Sequence, residues 1–286
     1  MSLVVARVID DDEIRIISDT KITDIGALHP TLLDGGLKCI AISPTCCVCF
    51  AGNVAVAEKA LAPMLHRTMQ DRQQITTHLL HHHTAARGVT DFIVASAGTC
   101  VAVDRIAENR VETNMKAAWI GDYSAFSTYQ SLYHYERECV SIALDERSRI
   151  ATQMNDAFKA VIEDHRNPSV GDFEVTVTSK PAEADGFRYL PNLGAFGFQP
   201  VPLTTTPTSV LRSLGVEGGS FSYTILVPKI AGLGALAVHL REGKVGAFFY
   251  PAHCWSPARF NGVGVDEFIE AIAERFGVYV DGFRHY

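Results

Sequence analysis

Two segments bring together residue types that could do chemistry. Residues 19–23 read DTKIT and combine a carboxylate, an ammonium group and hydroxyls at the end of an apolar run. Lys38 follows in a second segment, and Gly52 stands fourteen residues after it, before Asn53. A buried lysine can lower the pKa of a neighbouring amine and stabilise developing negative charge. The same residues also fit a surface ion pair at a strand end and a turn before a helix.

Histidines and cysteines offer a second possibility, metal binding. His78 and His82 are one helical turn apart, a spacing that can hold a metal ion. The glutamate of the HEXXH motif is missing, however, and histidines on an outer helix are usually solvated. Residues 45–50 read TCCVCF and contain C-x-x-C spacing without a second ligand pair, which favours buried strand cysteines. We therefore expect no metal and no cofactor.

The composition and net charge argue against nucleic acid and membranes as binding partners. The 286 residues are 47% hydrophobic and 20% charged, the balance of a folded globular chain. A net charge of -7 and a pI near 5.9 provide no basic surface for nucleic acid or acidic membranes. The sequence contains no run of eighteen apolar residues and no signal-peptide pattern, and its seven cysteines are an odd number. These features predict a cytoplasmic protein with reduced thiols.

The elements around the two segments read as strands and then helices. Residues 3–9 and 13–18 are β-branched runs that predict a hairpin, and two further apolar runs before Gly52 predict a second pair of strands. From Asn53, a plausible N-cap, the apolar spacing becomes helical, and a second helix is predicted over residues 71–86.

The rest of the chain continues the alternation. Short apolar runs after the second helix predict an antiparallel meander, followed by two helices, the second capped by Asp145. Residues 165–215 contain many prolines and predict an irregular insertion. Further strands and a final helix over residues 264–276, with Asp266 as its cap, complete one domain over 1–286.

This order of elements resembles the proteasome β-type subunits and their bacterial proteasome-like relatives, in the N-terminal-nucleophile hydrolase superfamily. DTKIT resembles the family's D-x-[RK]-x-T segment, Lys38 precedes Gly52 by the family's interval, and Ala51-Gly52 followed by a helix is the family's form. The resemblance covers about residues 2–137 well and about 218–280 loosely. It implies an α+β fold, a four-layer αββα sandwich with the insertion around 165–215.

The resemblance also implies a site at the start of the chain. Its nucleophile would be Ser2 after removal of Met1, with the α-amine of Ser2, ordinary pKa about 7.7–8.0, as the base. Asp19 would hold Lys38, and the N–H of Gly52 would face the oxyanion. The implied catalytic residues are Ser2, Asp19, Lys38 and Gly52, and the implied substrate-binding residues are Lys21 and Thr23. The substrate would be a peptide or amide, and the chain would form a homo-oligomer.

Several positions differ from the family pattern. Alignment without gaps puts the family's nucleophile on Leu3, and Ser2 is reached only with one extra residue in the turn at 10–12. Asp122 stands where the family carries the serine of G-S-G, and residues 214–219 stand where it carries D-x-x-S-G-G. Three interpretations therefore stay open: a peptide-cleaving hydrolase, a noncatalytic assembly or scaffold subunit, and a small-molecule amidase whose pocket is covered by 165–215.

Overall fold

The structure is a computed structural model, and the described part of the chain forms a mixed α+β fold. It describes residues 2–21, 35–66, 69, 71–98, 100–139, 145–164, 166–167, 169–171, 173–179, 186–198, 219–251 and 254–282. Thr23, one of the predicted substrate-binding residues, lies outside these ranges. Within them, no helix has the length and apolar character needed to cross a membrane.

Sixteen strands and five helices make up the described fold. The strands are β1 (Leu3–Val8), β2 (Ile14–Asp19), β3 (Cys39–Ser43), β4 (Cys46–Gly52), β5 (Thr90–Ser96), β6 (Ala102–Ala107), β7 (Arg110–Glu112), β8 (Ala117–Gly121), β9 (Glu174–Thr178), β10 (Arg188–Tyr189), β11 (Asn192–Phe198), β12 (Gly219–Pro228), β13 (Leu236–Leu240), β14 (Val245–Phe249), β15 (Ala258–Asn261) and β16 (Val280–Asp281). The helices are α1 (Val54–Leu65), α2 (Arg72–Ala85), α3 (Tyr123–Cys139), α4 (Glu146–Glu163) and α5 (Val265–Phe276).

These strands pair antiparallel in three sheets. The first sheet has the order β10-β9-β2-β1-β8, and the second has the order β3-β4-β5-β6-β7. The third has the order β11-β12-β13-β14-β15, with β16 also paired to β12. The predicted hairpin of β1 and β2 is confirmed, with Val4 opposite Ser18. The predicted meander is confirmed for β5 to β7, whereas β8 crosses to the first sheet and pairs with β1.

The first sheet packs against helices on one face and against the second sheet on the other. On β1, Val4 belongs to a core that it shares with Val48 of the second sheet. Val5 faces the opposite way and packs with Tyr129 of α3 and Phe158 of α4. This division follows from the period-two alternation of side chains along a strand. On the second sheet, α2 packs over β5 and β6, and α1 contacts β4 and β5.

The described residues of the range 165–215, predicted as an irregular insertion, include strands of two sheets. β9 lies between β2 and β10 in the first sheet, and β11 pairs with β12 in the third. All five residues of β9 are buried, so Glu174, Thr176 and Thr178 are covered although they read as a polar face. The prolines that flank this segment in the sequence obscured the strand, because proline density also marks irregular loops.

The structure confirms two of the predicted helix N-caps and corrects a third. The carboxamide oxygen of Asn53 accepts a hydrogen bond from the N–H of Val56, and Asp145 caps α4 in the same way, as predicted. The predicted cap of the final helix, Asp266, is wrong. Gly264 occupies the N-cap position, and Asp266 lies in the first turn, where its negative charge faces the positive end of the helix dipole.

Candidate active site

A buried ion pair joins the end of β2 to the residue before β3. Lys38 Nζ lies 2.7 Å from Asp19 Oδ2, and the two side chains are 2% and 0% exposed. Lys38 also donates a hydrogen bond to the backbone carbonyl of Lys21. The structure therefore brings Asp19 and Lys38, which are nineteen residues apart in sequence, into direct contact. A buried pair of this kind is costly to desolvate and is weak evidence for a purely stabilising role.

Asp19 is held by three donors. Besides Lys38, its carboxylate accepts the N–H of Leu3 at 3.1 Å and the N–H of Gly171 at 3.4 Å. Burial raises the pKa of the Asp19 carboxyl, and the Lys38 ammonium and the two N–H donors act in the opposite direction. These contacts fix the carboxylate beside the first residues of β1. Asp19 thus connects the ion pair to the N-terminal strand.

Ser2 lies directly before Leu3, the first residue of β1, and is only 5% exposed. Its carbonyl accepts a hydrogen bond from the N–H of Asp122 at 2.7 Å. The residue whose N–H reaches Asp19 is Leu3, the position on which the ungapped alignment falls. Ser2 therefore lies one residue before the residue that contacts Asp19, and its own carbonyl is bound by the residue before α3.

Two glycines allow three strand ends to meet at this point. Gly121 has φ +110°, and a Cβ there would lie 1.9 Å from the carbonyl oxygen of Ser2 and 3.2 Å from Cβ of Ala51. Gly52 follows Ala51 with φ +128°, and a Cβ there would lie 2.2 Å from the carbonyl oxygen of Val89. Both positions require glycine. The end of β4, which carries Gly52, is thereby brought close to the end of β8 and the start of β1.

Asp122 and Ser169 form a second polar contact beside Ser2. The Ser169 hydroxyl donates to Asp122 Oδ2 at 2.6 Å, and Asp122 Oδ1 accepts the N–H groups of Ser124 and Ala125 at the start of α3. Partial burial acts to raise the pKa of Asp122, but the hydroxyl and the two N–H donors outweigh it and lower the pKa below its ordinary value. Asp122 therefore carries a stabilised negative charge next to the chain's first residues.

Ser169 and Gly171 are the site residues that the sequence did not identify. The sequence puts the family's D-x-x-S-G-G segment at 214–219, of which residues 214–218 lie outside the described residues. The structure instead brings Ser169 to Asp122 and Gly171 to Asp19. The sequence feature that could have identified them is the S-x-G pattern of residues 169–171, just before the β-branched run of β9. Only the pairing of β9 with β2 makes that signal meaningful.

Lys21 lies at the edge of this arrangement. Its carbonyl binds Lys38 Nζ, and its side-chain Cδ would lie 3.2 Å from a Cβ placed on Gly171. The aliphatic part of Lys21 therefore runs over the glycine whose N–H binds Asp19. Of the two predicted substrate-binding residues, this one borders the ion pair, and Thr23 is not described.

The three cysteines of the TCCVCF segment lie in the core. Cys46, Cys47 and Cys49 are buried in β4, as predicted, and burial raises the pKa of the Cys46 thiol to about 12. A thiol of this kind is a poor nucleophile and a poor metal ligand, since both roles need the thiolate. Among the described residues, no group of three or more histidine, cysteine, aspartate or glutamate side chains could hold a metal ion.

The assembled site lies around the first residues of β1. It consists of the buried Lys38 ammonium, the carboxylates of Asp19 and Asp122, and the Ser169 hydroxyl. Such an ammonium lowers the pKa of an amine beside it and stabilises negative charge on a nearby oxygen. No protein-family model matches the chain, and no curated protein matches it. The proposal for its function therefore depends on the geometry and chemistry of these residues.

Proposed function

We propose that this chain is a proteasome-like N-terminal-nucleophile hydrolase that cleaves a peptide or amide bond with Ser2. The observation that carries the proposal is the buried pair of Lys38 and Asp19, whose carboxylate binds the N–H of Leu3. A buried lysine beside the N-terminal strand is costly for a structural role and useful for chemistry at the first residue.

In this proposal, removal of Met1 frees the α-amine of Ser2. The amine takes the proton of the Ser2 hydroxyl, directly or through water, and the oxygen attacks the carbonyl carbon of the substrate. Lys38 keeps the amine neutral near pH 7 and stabilises the negative charge of the tetrahedral intermediate, together with the N–H of Gly52. The amine then protonates the leaving nitrogen, and water hydrolyses the ester formed on Ser2.

The packing of the helices supports the proposed αββα sandwich. One pair, α3 and α4, lies on the first sheet, and the other pair, α1 and α2, lies on the second. We infer from the family resemblance that such a chain works in the cytoplasm as a homo-oligomer.

A noncatalytic scaffold subunit is the second candidate, and one observation favours it. The N–H that reaches Asp19 belongs to Leu3, and the backbone of Ser2 is bound through its carbonyl to Asp122. In a scaffold, Leu3 would occupy the family's nucleophile position, and the ion pair would be a remnant. The two candidates differ in whether the Ser2 hydroxyl is needed for hydrolysis.

Hydrolysis by matched variants at position 2 tests the proposal. The wild-type chain, Ser2→Thr and Ser2→Ala would be prepared with Met1 removed, which the small side chains permit. Each would be assayed against a panel of fluorogenic peptide amides and small acyl amides. We expect Ser2→Thr to retain hydrolysis and Ser2→Ala to lose it by about a thousandfold or more. Equal rates for wild type and Ser2→Ala, or no hydrolysis by folded wild type, would favour the scaffold.

A further inference from the structure

His78 and His82 lie on α2, and His78 contacts α1. They are separated by four residues, which puts them on the same side of the helix. Their ring centroids are 4.6 Å apart, with an interplanar angle of 57°. His81 stands beside His82 at 5.9 Å but is exposed on the helix surface. The spacing in the sequence shows only that the two imidazoles can be neighbours, and the structure shows that they are.

The distance between the rings fits two ligands on one ion. An imidazole nitrogen binds Zn²⁺ at about 2.0–2.1 Å, which puts the ring centroid about 3 Å from the metal. Two such rings in adjacent coordination positions have centroids about 4.5–5 Å apart. The separation of His78 and His82 lies in this range.

The hydrogen bond of His78 prepares it as a ligand. Its Nε2 lies 3.0 Å from the backbone carbonyl oxygen of Ala60 in α1. A carbonyl only accepts, so Nε2 carries the proton, and Nδ1 keeps its lone pair. Histidine ligands of metals usually donate their other N–H to a carbonyl or carboxylate, which fixes the ring and the tautomer. His78 therefore already has the outer contact of a metal ligand.

One charged group of α1 lies near His82. The Lys59 ammonium repels a cation there, which limits the affinity of any site at this position.

We propose that His78 and His82 form a surface site for a divalent late first-row transition metal ion. The two imidazoles supply two nitrogen ligands, and water completes the coordination. Among such ions, Cu²⁺ binds most tightly to a nitrogen site of this type, ahead of Zn²⁺ and Ni²⁺. The site is independent of the proposed hydrolase activity, because its residues belong to α2 and contact α1 rather than the ion pair.

Titration of the untagged full chain with Cu²⁺ tests the proposal. The measurements are the dissociation constant and the number of nitrogen ligands seen by electron paramagnetic resonance. We expect wild type to bind one Cu²⁺ with two imidazole nitrogens at pH 7.5. His78→Gln and His82→Gln should each weaken this binding by at least about tenfold. His81→Gln is the matched control on the same helix and should bind like wild type.

Far-UV circular dichroism of the three variants checks that α2 is intact; both ligands are only partly buried, so we expect all three to fold. Unchanged Cu²⁺ affinity in His82→Gln would overturn the proposal. An equal loss in His81→Gln and His82→Gln would also overturn it, because the ion would then be bound by a different set of histidines.

Discussion

Replacing Lys38 with methionine tests whether the buried ion pair is a coupled unit. The change removes a charge that is 2% exposed and leaves the Asp19 carboxylate, 0% exposed, without its counter-ion. The N–H groups of Leu3 and Gly171 remain as donors to that carboxylate. Loss of one partner of a buried pair costs about 3–5 kcal/mol. With two donors left, we expect Lys38→Met to lower the free energy of unfolding by about 3 kcal/mol.

The double variant gives the sharper result. Asp19→Asn alone leaves the Lys38 ammonium buried with the Lys21 carbonyl, and we expect a similar loss. In Lys38→Met with Asp19→Asn, neither charge remains to be desolvated, so the loss should be smaller than the sum of the single losses by about 1–3 kcal/mol. Urea unfolding of all four proteins at pH 7, with a common m value, measures these free energies.

An exposed pair provides the control for this cycle. Lys159 and Glu163 lie 4.0 Å apart on α4 with side chains 67% and 66% exposed. Their single and double variants should show a coupling of no more than about 0.5 kcal/mol. If Lys38 and Asp19 also behave additively within about 0.5 kcal/mol, the two residues do not form a coupled buried pair, and the reasoning about the site is refuted.

Three further predictions concern stability. Burial raises the pKa of Glu174 to about 7, so the folded state should lose stability as the pH rises from about 4.5 to 7. The variant Glu174→Gln should not show this loss. In urea unfolding it should be more stable than wild type by up to about 3 kcal/mol at pH 8, with little difference at pH 4. Gly121→Ala, at φ +110° and against the Ser2 carbonyl, should cost more than about 2 kcal/mol, measured by thermal unfolding. Ser169→Ala removes a donor to ionised Asp122 and should cost about 1 kcal/mol at pH 7; because the pKa of Asp122 is lowered in the folded state, that loss should shrink as the pH falls and the carboxylate protonates.

Local sequence patterns predict many of the strands and helices. The β-branched runs of β1 and β2 and the helical spacing after Asn53 depend on neighbours in sequence, so they predict elements and one cap correctly. β9 was missed because its polar positions are covered by packing that no local pattern reports. The apolar run of β8 predicts a further strand of the meander, but β8 pairs with β1 in the first sheet, a partner that no local pattern reports.

The site was predictable only in part, for a similar reason. The spacing of Asp19, Lys38 and Gly52 comes from hairpins close together in the chain, so a family pattern can identify it. Gly171 reaches Asp19 across 152 residues, and Ser169 reaches Asp122 across 47. Such contacts depend on the order of strands in the first sheet. They become visible only when β9 is known to lie beside β2.

Covalent trapping at Ser2 tests the central claim most directly. The folded chain would be treated with a hydroxyl-reactive electrophile, and the site of modification would be found by intact-mass and peptide mass spectrometry. The proposed mechanism predicts a chain without Met1 that carries one label on Ser2, with labelling strongly reduced in Lys38→Met. Retention of Met1 with no label on Ser2, or equal labelling in wild type and folded Lys38→Met, would contradict it.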